Sequence, residues 1–165
     1  MSGQWPSAAI ISRLEDLRET VETLDKLPKG SGLVEVCLSR YLVVRAAGFI
    51  ESVRDDAADN FATMHAHEIV GRRVREHLRG GLGVTPEQLK KFLRSFDPAW
   101  STEFAAFISS DDGRLSNMLG PLVSARKKIA HGDGDNVIRE RALAWAGGAQ
   151  EVGEWLIRRF DPASV

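Results

Sequence analysis

The side chains with the clearest chemical potential in this sequence are Arg126 and His131, which stand five positions apart in Arg126-Lys-Lys-Ile-Ala-His131-Gly132. Histidine is the side chain best suited to exchange protons near neutral pH. Arginine grips phosphate oxygens in a planar fork and neutralises charge that develops on them. Together they suffice in principle for cleaving RNA without a metal: the imidazole takes the proton of a 2′-hydroxyl, and the cation stabilises the crowded phosphorane. The same residues also have a purely structural use. At the last turn of a helix, a histidine and two lysines (Lys127 and Lys128) complement the negative end of the helix dipole. Spacing alone leaves both uses open.

Other patterns that carry chemistry fail on inspection. Gly80-Gly81-Leu82-Gly83 has no following lysine and no preceding strand, so it is a turn rather than a phosphate loop. Asp133-Gly134-Asp135-Asn136 hints at a calcium loop, but the position for the bidentate acid falls on Ala144. His65 and His67 are two apart, which splays them on a helix, and they read as surface histidines. Asp55, Asp56 and Asp59 read as a solvated helix end. No Gly-x-Ser-x-Gly and no Cys/His pairing supports a nucleophile. Neither a metal nor a cofactor is therefore expected.

Arg126 and His131 need a frame, and the apolar spacing outlines it. Ile10, Leu14, Leu17, Val21 and Leu24 recur at fours and threes and predict one helix, opened at Pro6-Ser7 and closed by Pro28-Lys29-Gly30-Ser31-Gly32. A second helix is predicted from about Leu33 to about Asn60. Its middle, Tyr41 to Ile50, is apolar nearly all round and must be covered by neighbours or by a second subunit. Beyond Asp55-Asp56 the pattern turns polar, and a third helix should run from about His65 to Arg79. Thr85 as N-cap and Pro86 in the first turn open a short helix that stops near Phe96-Asp97-Pro98. Trp100 to Ser109 forms another, ended by Asp111-Asp112-Gly113. Arg114 to about Ala130 is helical with Leu115, Met118, Leu119, Leu122 and Ile129 inward, and a turn follows from His131. The last helix carries Ile138, Ala142, Trp145, Ala149, Val152, Leu156 and Phe160. No stretch alternates with period two, so no strand is expected. The fold class is all-α: an up-and-down helical bundle with extra short helices, one domain over residues 1–165.

The 165 residues are 43% apolar and 27% charged, ordinary for a globular chain, and the net charge is −1. That balance gives no global attraction to nucleic acid, so any such contact must come from a local patch. Cys37, the one cysteine, lies in an apolar stretch and is expected to be a buried thiol. The longest apolar run is far short of the ~20 residues of a membrane span, and no secretory leader is visible. A cytoplasmic location is expected.

Arg126 to Gly132 resembles the Arg-x4-6-His motif of the HEPN superfamily, and the ending Ile-Ala-His-Gly is a common form of it. Arg45-Ala-Ala-Gly-Phe-Ile-Glu51 looks like the long second helix of the RiboL-PSP-HEPN group, and Phe96-Asp97-Pro98-Ala99-Trp100 is similar to a further element of that group. The resemblance extends over roughly residues 33 to 160. It implies a HEPN-like bundle that dimerises, with Arg126 and His131 of both subunits facing a shared cleft. It further implies a metal-independent endoribonuclease, with Arg126 stabilising the phosphate and His131 as general acid or base. Such a protein would be a toxin or phage-defence effector, with RNA as substrate and a cognate antitoxin or defence-system protein as partner. In that family the position after the arginine is often Asn, Asp or His. Here it is Lys127, which can hold a phosphate but cannot accept a hydrogen bond. The alternative is a non-catalytic HEPN module for dimerisation or for binding RNA or a nucleotide.

Three further sets of residues support these readings. Cys37, Tyr41, Val44, Gly48, Glu51 and Asp55 share one helical stripe, so Glu51 edges an apolar face where an unpaired carboxylate is costly. Glu51 is expected to pair with Arg126 or to orient His131, with Arg45 joining that network; equally, both could reach solvent or bridge helices with no part in chemistry. Gly48 would allow a neighbouring helix to approach closely. Arg72, Arg75 and Arg79 fall on one face beside His77 and, with Lys128, form the candidate RNA-backbone contact. A solvated face with Glu68 and Glu76 accounts for the arginines as well.

Overall fold

A computed structural model describes residues 5–65, 68–79, 83–133 and 136–163, apart from the side chains of residues 68, 70, 75 and 77–79. The chain is an all-α helical bundle of six helices among these residues: α1 (Ala8–Lys26), α2 (Leu33–His65), α3 (Glu68–Arg79), α4 (Pro86–Arg94), α5 (Pro98–Ala130) and α6 (Arg139–Arg159). Helix α2 is the central element. It packs against α1, α3, α5 and α6, while α4 packs on α5.

Local chemistry explains where each helix starts. The Ser7 hydroxyl accepts the Ile10 N–H at the head of α1 and donates to Asp56 Oδ2 of α2 at 2.8 Å. Thr85 and Gln88 form a reciprocal capping box on α4, with Pro86 in the first turn. Asp97 caps α5 by accepting from Ala99 N at 2.7 Å, with Pro98 next. The segment Phe96-Asp97-Pro98-Ala99-Trp100 is thus the joint between α4 and α5. Its two aromatic rings join Phe61, Phe92 and Phe160 in one edge-to-face cluster.

Helix α5 is broken where the sequence predicts. Asp111, Asp112 and Gly113 are all left-handed, with φ of 55°, 54° and 73°, and they separate the arm 98–109 from the arm 114–130. Arg114 braces the break through Asp111 and through Glu151 of α6, both at 2.7 Å. These two carboxylates push the Arg114 pKa further up.

Helix α2 continues past the expected end near Asn60 to His65. The turn to polar residues at Asp55 hid a continuing apolar stripe, in which Ala57, Ala58 and Ala62 are buried and Phe61 packs in the aromatic cluster. In the middle of α2, Leu42, Val43, Ala46, Ala47, Phe49 and Ile50 are buried, whereas Tyr41 is 49% exposed. Cys37 is exposed, contrary to expectation. It lies on the uncovered stripe of α2, where an apolar stretch on one strand of sequence does not guarantee cover. Gly48 lies there too, and no atom stands within 4 Å of where its Cβ would be. It therefore opens a gap rather than seating a neighbouring helix.

The close approach is at α6. A Cβ on Gly153 would meet Phe49 Cε1 at 2.3 Å, and one on Gly148 would meet Met118 Sδ at 2.4 Å. Phe49 is 2% exposed and cannot swing aside. For Gly153→Ala, the helix-propensity gain of about 1 kcal/mol is outweighed by overpacking of about 1–3 kcal/mol. The expected result is a lower urea midpoint at unchanged m. In contrast, Asp112→Gly removes a strained left-handed residue that is exposed. It should raise stability by up to about 1 kcal/mol in the same denaturation experiment.

Candidate functional site

The motif Arg126 to Gly132 covers the last turn of α5 and its cap. His131 is the C-cap residue, and Gly132 follows with φ of 78°. Asp133 N–H donates to Lys128 O at 3.0 Å and Gly132 N–H to Ile129 O at 3.2 Å. This pair of bonds is a Schellman motif, which requires a left-handed residue at the glycine position. The glycine of the motif is therefore explained by helix termination. The cap leaves His131 exposed at the tip, and its ring has no hydrogen-bond partner among the described residues. Lys127 and Lys128 are exposed beside it.

Arg126 faces the bundle. Its Nη2 donates to Glu51 Oε2 of α2 at 3.4 Å, and the side chains are 38% and 28% exposed. The structure thus brings together Glu51 and Arg126, a pairing anticipated from the stripe on α2. Arg126 and His131 share no hydrogen bond: five positions at about 100° each turn them roughly 140° apart around the axis.

Arg45 does not join this network. It pairs with Asp16 of α1 at 3.1 Å and lies over the Tyr41 ring, 5.3 Å from its centroid. Six positions separate it from Glu51, so the two project roughly 120° apart on α2. Arg45 is on the shoulder facing α1, and Glu51 is on the shoulder facing α5.

The proposed RNA-backbone patch falls on α3, where Arg72 is exposed. The side chains of Arg75 and Arg79, like those of His77 and Glu68, lie outside the described residues, as does His67. His65 stacks on Phe61 at 4.3 Å, and its Nδ1 lies 3.1 Å from Phe61 O. Asp55 pairs with Arg54, and Asp56 accepts from Ser7. Among the described residues no group of three His, Cys, Asp or Glu side chains could hold a metal, and no helix is long and apolar enough to cross a membrane.

Two buried arginines escaped the sequence reading. Arg54, 2% exposed, pairs with Asp55 at 2.6 Å and donates to Gly83 O at 3.1 Å, tying α2 to the loop before α4. Arg139 donates to Leu27 O at 2.6 Å and to Asp25 O, so it satisfies carbonyls left open at the end of α1. The sequence carries no signal for the Gly83, Leu27 and Asp25 carbonyls that these arginines reach, because they are backbone atoms remote in sequence.

No protein-family model, curated protein or solved structure matches this chain. The chemistry must be read from the site alone. It comprises an exposed imidazole, a guanidinium held by one carboxylate, and two further cations at one helix end. Such a set can bind an anion and move a proton. Because the Glu51–Arg126 pair is part-exposed, Glu51→Gln should change stability by less than about 1 kcal/mol while loosening Arg126. Denaturation and 15N relaxation at Arg126 Nε check both. A loss above about 3 kcal/mol would mark the pair as a structural strut instead.

Proposed function

We propose that this chain is a metal-independent endoribonuclease of the HEPN type, acting as a cytoplasmic toxin or phage-defence effector. The observation that carries the reading is the Glu51–Arg126 contact. It holds the guanidinium of the Arg-x4-His motif partly exposed by a single carboxylate, with an exposed histidine, whose ring has no hydrogen bond among the described residues, at the end of the same helix. Arginine has five N–H donors, so most remain available to an anion.

The chemistry follows from these groups. His131 takes the proton of a ribose 2′-hydroxyl as that oxygen bonds to phosphorus. Arg126 neutralises the phosphorane. The bond from phosphorus to the 5′-oxygen then breaks, the leaving oxygen takes up a proton, and a 2′,3′-cyclic phosphate and a 5′-hydroxyl remain. A base and an acid are both needed in one turnover, and the end of α5 carries one histidine. A homodimer that brings two such ends to one cleft supplies both. Lys127 and Lys128 add charge for the RNA strand. A cognate antitoxin or another defence-system protein would cover this end.

A second reading is a non-catalytic HEPN module that binds RNA or a nucleotide. It is favoured by Lys127, which cannot accept a hydrogen bond from the imidazole, and by the absence of a hydrogen bond between Arg126 and His131 within one chain.

The test is incubation of the purified protein with total RNA in EDTA, beside His131→Ala and Arg126→Ala. The expected result is cleavage by the parent that falls about 10²–10⁴-fold in His131→Ala and about 10²–10³-fold in Arg126→Ala. No cleavage by the parent, or equal cleavage by all three, overturns the nuclease reading. RNA binding without cleavage selects the second reading.

A further inference from the structure

The uncovered stripe of α2 leads from the Glu51–Arg126 pair to a small cavity of about 180 Å³ between α1 and α2, lined by Arg13, Val44, Arg45, Gly48 and Phe49. Three independent features mark it as built for an anionic group. The first is Arg45 Nε, which is buried and has no hydrogen-bond partner. Asp16 takes only the neighbouring Nη2, at 3.1 Å. A buried donor without an acceptor is costly, and a turn of the guanidinium toward the cavity would bring it within reach of an oxygen there. The second is Arg13, an exposed arginine with no ion pair among the described residues. The two guanidiniums exceed the single carboxylate of Asp16, so the cavity carries excess positive charge. The third is the gap itself, which exists because position 48 has no side chain and nothing stands within 4 Å of its Cβ direction.

The rim adds a stacking surface. Tyr41 is 49% exposed and its ring already lies against the Arg45 guanidinium. Cation, exposed aromatic face and shallow groove together are the components of a single-strand nucleic-acid subsite. Arg45 and Glu51 occupy the two shoulders of α2, about 9 Å apart along its axis and roughly 120° apart around it. One RNA strand crossing the stripe can place a phosphate at each.

We propose that the cavity at Gly48 is an RNA-backbone subsite in which Arg13 and Arg45 hold a phosphate near the scissile one, with the attached base on Tyr41. This rests on the RNA-directed reading of the Arg126 site, and it adds the groove that would set how the strand is threaded and which phosphate reaches His131.

The experiment uses a 5′-fluorescein oligoribonucleotide of eight nucleotides and the full chain carrying His131→Ala, so that the probe stays intact. Fluorescence anisotropy compares this background with added Gly48→Leu or Arg13→Gln. Gly48→Leu fills the cavity yet improves helix propensity, so its thermal midpoint should hold or rise, which separates occlusion from misfolding. The expected result is about five- to tenfold weaker binding in each. The slope of log K against log salt should shrink by about 0.7, the share of one phosphate on a single strand. In 15N spectra of the His131→Ala chain, the Arg45 Nε–H signal should shift on addition of the oligomer. Unchanged affinity in both variants overturns the subsite and leaves the Arg126 reading standing. So does a change of oligomeric state in Gly48→Leu with affinity intact, which would make the cavity a protein contact. No RNA binding by the His131→Ala background or by the parent overturns both.

Discussion

The rotation of α2 about its own axis is the constraint on which the rest of the molecule depends. Phe49 sets it by entering the notch that Gly153 leaves in α6. With Phe49 held there, the positions around it have no freedom to choose a neighbour. Arg45, one turn earlier, is on the side of α1. Glu51, two positions later, is turned toward α5 and meets Arg126. Between them Tyr41, Val44 and Gly48 face outward. A twist of α2 by one position, about 100°, would bury Gly48 and expose Phe49, and it would dissolve the Glu51 pair. The site is therefore a consequence of core packing on the opposite side of the same helix.

The end of α5 is governed by a different balance. The last carbonyls of a helix present about half a negative charge, a poor place to bring a phosphate. The sequence answers with Arg126, Lys127 and Lys128 within the final turn, and the Schellman bonds from Gly132 and Asp133 satisfy Ile129 O and Lys128 O. Once those carbonyls are occupied and offset, the tip is net cationic and His131 is left projecting. Cap geometry and the proposed phosphate binding thus make the same demands on this segment. This explains why the spacing in sequence could not choose between a structural and a chemical use.

Most of the helices were legible because each has a local signature. The capping residues Thr85 and Asp97, the break at 111–113 and the fours-and-threes of α1 and α6 are all short-range patterns, and the structure follows them. The partnership of Glu51 with Arg126 was legible for a related reason: a carboxylate beside an apolar stripe needs a partner. What the sequence could not show is which sides of a helix are covered. Cys37 and Gly48 lie in the same kind of apolar surroundings as Leu42 and Phe49, yet Cys37 is exposed and Gly48 borders a gap, because cover depends on where α1 and α5 lie. The same limit misplaced Arg45, whose partner is on the helix nearest its shoulder rather than at the motif.

The arginines of this chain sort by how completely the fold satisfies them. Arg139 is buried and spans two carbonyls of the α1 terminus; Arg54 is buried and bridges Asp55 to Gly83 O. Such groups cannot be spared for a ligand, since removing their partners would strand a charge out of water. Arg126 and Arg45 are different. Each holds one carboxylate and keeps donors unsatisfied, one at the surface and one against a cavity. A fold that satisfies some of its guanidiniums so fully has the means to satisfy the rest. Arg45 and Arg126 flank the uncovered stripe of α2 from its two shoulders, where a strand of phosphates would complete them both.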